Sequence, residues 1–247
     1  MLATLRSVIF YAGLFPLTVL FSFVGIAILP LKRTLRYAVI TRWSRITIWW
    51  LGISCGLKFR VRGTENITKQ PGVILCKHQS AWETISLQLI FPRQSQVLKR
   101  ELLRVPFFGW GLASLNPIAI DRSAGTRALK AVLKAGSDRL AAGWWVLIFP
   151  EGTRIPPGES GRYTQTGAAL AVNNQVPLIP VAHNAGVFWA RNALTKYAGT
   201  IDVVIGPPLE LQDKSAKTLI REAEQWIETT CAQLPTSPAQ DGNQNGY

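Results

Sequence analysis

Histidine and cysteine are scarce in this chain. Among 247 residues there are 2 His and 3 Cys, and Cys55, Cys76 and Cys231 show no chelate spacing. A zinc site draws its ligands mainly from these residue types, so a metal centre is not expected. An odd number of dispersed thiols points to a reducing compartment, not a disulfide framework. Acidic side chains are the next shortage: 14 Asp and Glu stand against 27 Lys and Arg, a net charge of +13. The deficit is uneven. Residues 1–110 hold 15 Lys and Arg against only Glu65, Glu83 and Glu101, whereas residues 111–247 hold 12 against 11. Charged residues are only 17% of the chain and hydrophobic ones 48%. Nucleic-acid binders are basic and polar; a basic, apolar chain suits a membrane surface instead, and nucleic acid is not an expected partner.

Apolar residues are what the chain has in abundance. Ser7 to Leu31 is a run of 25 residues without a charge, bracketed by Arg6 and by Lys32 and Arg33. As a helix it would extend about 37 Å, enough for a ~30 Å hydrocarbon core. It is longer than the apolar part of a signal peptide and no A-x-A site follows it, so it reads as a retained anchor. A second apolar stretch, Ile46–Leu57, carries Trp43, Trp49 and Trp50 near its start, and Lys32, Arg33, Arg36, Arg42 and Arg45 lie between the two. Trp and Arg favour the headgroup zone. Two arrangements fit residues 1–57: one spanning helix, or a helical pair dipping into one leaflet, which Pro16 in mid-stretch favours.

Beyond Gly56 short β-type runs alternate with helical ones. Strands are expected at Phe59–Arg62, Gly72–Cys76, Gln96–Leu98, Ile118–Ile120, Trp144–Phe149, Pro177–Val181 and Ile201–Ile205. Helices are expected over Ala81–Ile90, Thr126–Ala142, Gly167–Val172 and Ala216–Leu234. That alternation indicates an α/β sheet flanked by helices over residues 58–234. The polar, Pro- and Gly-containing stretch 235–247 reads as a disordered tail.

Chemistry has few candidate seats. His78 directly follows the apolar run ending at Cys76, at the carboxyl end of a strand, where open α/β sheets place their ligands. Glu83 lies five residues on, about 140° around a regular helix. The two side chains meet only if the helix begins near Ser80, leaving His78 ahead of its first turn. A carboxylate on one imidazole nitrogen would fix the tautomer and free the other to take a proton. Against this, Ser80-x-x-Glu83 before an apolar run is itself a capping-box signature. Phe149-Pro-Glu151-Gly152-Thr153-Arg154 follows the most apolar strand, where a Gly turn and an Arg fork can hold a phosphate or carboxylate. Lys99 and Arg122 end two further strands.

Four segments in order, KHQSAWE, NPIAIDR, FPEGTR and VPLIPVAHN, resemble the sequence blocks of the glycerolipid acyltransferases, most closely the bacterial 1-acyl-sn-glycerol-3-phosphate acyltransferases. The blocks run from His78 to Asn184 and the likeness covers residues 1–234. Two departures stand out: Lys77 and Glu83 replace the usual Asn and Asp of the first block, and Tyr163-Thr-Gln-Thr-Gly167 lacks the usual lysine. The resemblance implies a mixed central sheet and a bacterial inner-membrane location with the active site facing the cytoplasm. It implies a reaction in which His78, oriented by Glu83, takes the proton of the sn-2 hydroxyl of lysophosphatidic acid, with acyl-CoA or acyl-carrier protein as co-substrate and no cofactor. Arg154 would bind the acceptor phosphate with Lys99 and Arg122, and Ser80, Glu151, Gly152 and Thr153 would support the site. By the same likeness Glu83→Asp is expected to keep substantial activity. Membrane lipids are the expected partners, and another lysolipid acceptor, such as a lyso-ornithine lipid, stays open. The competing readings have less behind them. No G-x-S-x-G elbow occurs, Cys76 sits in a buried-looking run, and Gly109-x-Gly111-x-x-Ser114 follows no long strand. A membrane-tethered lipid binder without chemistry would account for the basic half alone. His183 is read as structural or as lining an acyl channel.

Overall fold

The computed structural model describes residues 1–121 and 125–238. Arg122 and the tail residues 239–247 lie outside them. The chain opens with two helices, α1 (Leu2–Ala27) and α2 (Arg33–Cys55). The second begins well before the apolar stretch Ile46–Leu57, because Arg33–Arg45 contains no Pro or Gly and its arginines are good helix formers. The two helices pack as a hairpin. A Cβ on Gly13 would lie 2.4 Å from Trp50 Nε1, so only glycine lets that indole donate to the Phe10 carbonyl at 3.1 Å. Trp43 Nε1 donates to Thr18 Oγ1 at 3.2 Å.

The hairpin also lies along the rest of the molecule. Ser22 Oγ donates to the Phe107 carbonyl at 2.6 Å, and the Lys196 N–H donates to Ser7 Oγ at 2.8 Å. The buried Lys196 ammonium faces the rings of Tyr11, Trp189 and Phe10 at 3.8, 4.4 and 5.4 Å. The outer face of α1 leaves Leu5, Val8, Phe15, Leu20 and Phe23 exposed. It is the one helix among the described residues long and apolar enough to cross a membrane.

Seven strands follow: β1 (Leu57–Arg62), β2 (Val73–Cys76), β3 (Gln94–Lys99), β4 (Ile118–Ile120), β5 (Trp145–Ile148), β6 (Leu178–His183) and β7 (Gly199–Ile205). They form one sheet in the order β1-β7-β6-β2-β5-β3-β4. From β6 to β4 all neighbours are parallel; β7 is antiparallel to β6, and β1 runs with β7, so the sheet is mixed. The helices are α3 (Trp82–Ile90), α4 (Phe108–Ala113), α5 (Thr126–Ala141), α6 (Thr166–Asn174), α7 (Ala185–Phe188) and α8 (Ala216–Ala232).

β2, β5 and β6 are buried along their whole length, the pattern of strands covered on both faces. Their side chains alternate between two cores. Ile74, Leu147 and Ile179 meet Leu51, Trp82 and Phe188 on one face. Val73, Val146 and Leu178 meet Val132, Leu170 and Leu219 on the other. The α4 turn was not among the helices expected from sequence; FGWGLA, with two glycines and Pro106 nearby, has little helix propensity of its own. Packing against α1 holds it, with Gly25 and Gly111 in close approach.

Candidate functional site

β2 ends at Cys76, and Lys77–Ala81 leaves the carboxyl edge of the sheet before α3 begins at Trp82. Side chains of this segment hold the turn that leads into the helix, whose N-cap is Ala81. Ser80 Oγ accepts the Trp82 N–H at 3.2 Å. Glu83 reaches back so that Oε1 accepts the N–H groups of Gln79 and Ser80 at 2.9 and 2.8 Å. That same oxygen is 2.8 Å from His78 Nδ1. Helix cap and histidine partner, alternatives on sequence grounds, are one arrangement, and the five-residue offset works because His78 precedes the helix.

Burial pushes the Glu83 carboxyl up. The two nearby imidazoles, the His78 hydrogen bond and the Ser80 N–H outweigh it and hold the group below the usual carboxylate range. An ionised Glu83 can only accept, so His78 Nδ1 carries the proton and Nε2 presents its lone pair. Only 14% of the His78 side chain is exposed.

β5 neighbours β2, so the segment after it arrives beside His78. The Phe149 ring stacks on the imidazole with centroids 4.2 Å apart and planes 19° from parallel. The Gly152 N–H closes a turn onto the Phe149 carbonyl at 3.0 Å, and the Ile155 N–H donates to the His78 carbonyl at 2.8 Å. Glu151 Oε1 accepts the His78 main-chain N–H at 3.3 Å. Arg154 therefore emerges next to a residue bonded to His78; it is half-buried, and its guanidinium has no protein partner among the described residues. Thr153 is exposed. Lys99 is exposed at the carboxyl end of β3, two strand spacings from β2, or about 10 Å along the same edge of the sheet. Arg100 beside it pairs with Asp121 at 3.6 Å. Arg122 lies outside the described residues.

His183 is the last residue of β6, not a residue beyond the strand. It is fully buried. Its Nε2 donates to the Lys77 carbonyl at 2.8 Å, and its Nδ1 accepts the Ala185 N–H at 3.1 Å. Both nitrogens are thus engaged in a neutral ring, and burial pushes the imidazole down. Among the described residues no group of three His, Cys, Asp or Glu is poised for a metal. Sequence reasoning overlooked Phe149 as a platform for His78. The signal was available: an aromatic ending a strand adjacent to that of the histidine must flank it. The buried Lys77 and its partner Glu228, 151 residues away, carried no such signal.

The acyltransferase family model matches residues 58–184. The 1-acyl-sn-glycerol-3-phosphate acyltransferase of Pseudomonas aeruginosa is 47% identical over 243 residues, 96% of this chain and 93% of that protein. The enzyme of the same description from Saccharomyces cerevisiae is 33% identical over 130 residues, 51% of this chain and 43% of its own. In fold, the chain matches the crystal structure of the 1-acyl-sn-glycerophosphate acyltransferase from Thermotoga maritima with a TM-score of 0.76. That match covers 92% of this chain and 94% of the other at 21% identity.

Proposed function

The chain belongs to the acyltransferase family and is an enzyme of the 1-acyl-sn-glycerol-3-phosphate acyltransferase type, and on that premise we propose that it moves a fatty acyl group from a thioester to the sn-2 hydroxyl of lysophosphatidic acid, with His78 as general base. The carrying observation is the 2.8 Å bond from His78 Nδ1 to Glu83, which leaves Nε2 free on a ring seated against Phe149. Nε2 takes the hydroxyl proton as the oxygen attacks the thioester carbonyl. The tetrahedral intermediate then collapses, the C–S bond breaks, and the thiolate leaves with the proton returned by the imidazolium. Arg154 and Lys99 supply positive charge for the acceptor phosphate, Arg154 with a planar fork suited to it.

We read the hairpin as a device dipping into one leaflet. α1 is held side-on from Ser7 to Ser22 by α2 and the body of the protein, whereas a spanning helix would stand clear. The location has its own logic. Each buried CH₂ is worth ~0.8 kcal/mol, so drawing a long acyl chain into water would cost well over 10 kcal/mol. Basic residues near the surface attract an anionic leaflet at ~1 kcal/mol each.

The test is an acceptor panel in vesicles, with thiol release from acyl-CoA and from acyl-carrier protein as the readout. Release dependent on lysophosphatidic acid supports the reading. Release only with lyso-ornithine lipid or another lysolipid transfers the chemistry to that acceptor. None with any acceptor leaves a lipid binder.

A further inference from the structure

Behind the histidine lies a buried charge cluster that the proposed reaction does not use. Lys77, the residue before His78, is 1% exposed. Its Nζ donates to Glu228 Oε1 on α8 at 2.6 Å and to the Glu159 carbonyl at 3.0 Å. Tyr163 OH donates to the same Glu228 oxygen at 2.8 Å. On the other side Lys77 Nζ is 3.6 Å from Glu151 Oε1, the oxygen that accepts the His78 main-chain N–H. Glu151 Oε2 is buried with no hydrogen-bond partner. A cavity of about 250 Å³ opens against the Lys77–Glu228 side of this cluster, lined by Lys77, His183, Glu228 and Cys231 among others.

We infer that Lys77 is a positioning residue: braced by Glu228, its ammonium keeps the Glu151 carboxylate charged and in place as acceptor for the His78 main-chain N–H. A charge on the last helix is thereby coupled to the seat of the base. The groups facing Glu151 are Lys77 and Cys76 at the end of β2, Tyr163 ahead of α6, and Glu228 and Cys231 on α8. Burial pushes the Glu151 carboxyl up; its own N–H, Lys77 and the His78 N–H pull it down, Glu228 pushes it up, and the balance leaves it at about 7. The carboxylate therefore titrates where small changes in its surroundings alter its charge.

The inference rests on the proposed role of His78, yet the decisive measurement is independent of turnover. Purified protein with ¹³C-carboxyl-labelled glutamate is titrated by NMR, with the Glu151 signal assigned by its loss in Glu151→Gln. Opposite charge within a few ångströms moves a carboxyl by about one to three pH units. Lys77→Met should therefore raise the Glu151 midpoint by about one unit or more, and Glu228→Gln, which keeps an acceptor for Lys77 and Tyr163, should lower it. The acid limb of kcat should move in the same direction as each midpoint. Opposite shifts, tracked by kcat, support the inference. Unchanged midpoints, shifts of one sign, or a kcat profile that ignores them overturn it. If Lys77→Met fails to fold, Glu228→Gln decides alone: a lowered midpoint and limb support the inference, and anything else overturns it. Parent protein that titrates as described but transfers no acyl group sinks the acyltransfer reading instead.

Discussion

Replacing Glu83 by glutamine removes one charge and almost no volume. In the site Oε1 takes three donors, from His78, Gln79 and Ser80, at 2.8, 2.9 and 2.8 Å. A glutamine carbonyl can still accept the two backbone N–H groups. The cap survives with weaker bonds, since hydrogen bonds to charged groups are worth ~1.5–3 kcal/mol net and neutral ones ~0.5–1.5. The amide cannot stabilise the imidazolium that forms when His78 takes the hydroxyl proton. Opposite unit charges about 4 Å apart interact by ~4 kcal/mol at an effective dielectric of ~20, which is a factor of ~10³ in rate. General-base catalysis as a whole contributes ~10²–10⁴, so the figure is of the right size. Glu83→Gln should therefore lose about three orders of magnitude in kcat while the KM values for acceptor and thioester change by less than about threefold. The assay is thiol release in the presence of vesicle-borne lysophosphatidic acid, with a thermal melt to show that the variant is folded. A folded variant keeping more than about a tenth of the parent kcat would refute the pairing argument. The shorter aspartate of the family's first block suggests that Glu83→Asp should work well. The geometry argues otherwise. Withdrawing the carboxylate by one ~1.5 Å bond stretches all three contacts at once, so at least about a tenfold loss is expected.

His78→Ala should abolish lysophosphatidate-dependent thiol release yet leave vesicle binding unchanged in a flotation assay, because the ring's hydrogen bond and stacking go to Glu83 and Phe149 in the catalytic body; equal turnover by variant and parent would remove His78 from the mechanism. Lys196, normally near 10.5, is pushed down to about 8 by burial. The unfolded chain then holds more protons than the folded one between those values, and stability should rise as pH climbs from about 8 toward 10. Melts in Lys196→Met should lack that rise; an identical slope in both proteins would show that the lysine does not cause it. Gly63→Ala should destabilise by about 2 kcal/mol or more: its φ is +82° and a Cβ there would lie 2.0 Å from the Ile205 carbonyl oxygen. Denaturant titration checks this, and an unchanged midpoint would contradict the backbone geometry.

Much of the architecture was written in short apolar runs. GVILC and WWVLIF read as buried strands because the sheet centre is covered on both faces, and even the three-residue β4 stood out between polar neighbours. The His78–Glu83 contact was legible as a condition, a helix beginning near Ser80; α3 begins at Trp82, two residues on, and the two side chains still meet. Other features were not. The first half of α2 hides in a basic, mixed segment, free of Pro and Gly and rich in helix formers but without the long apolar run that marks α1. α4 contradicts its own local propensity and exists because α1 lies against it. The Lys77–Glu228 contact joins two points so far apart in the chain that only the folded sheet and α8 bring them together. Strand directions were equally silent: nothing in Ile201–Ile205 says that β7 opposes β6.

The ring-enclosed Lys196 and the indole of Trp50 make α1 a fixed keel, not a mooring line. An enzyme on a mooring line drifts above the lipid and samples many heights. With a keel, the proposed seating would set its draught once, by how deep the exposed apolar side of α1 enters the acyl tails. On the proposed seating in one leaflet, His78 would ride at a constant level over the headgroups, and a thicker or thinner bilayer would tilt or lift the whole vessel. Lipid composition can in this way tune the meeting of base and hydroxyl without altering a single residue.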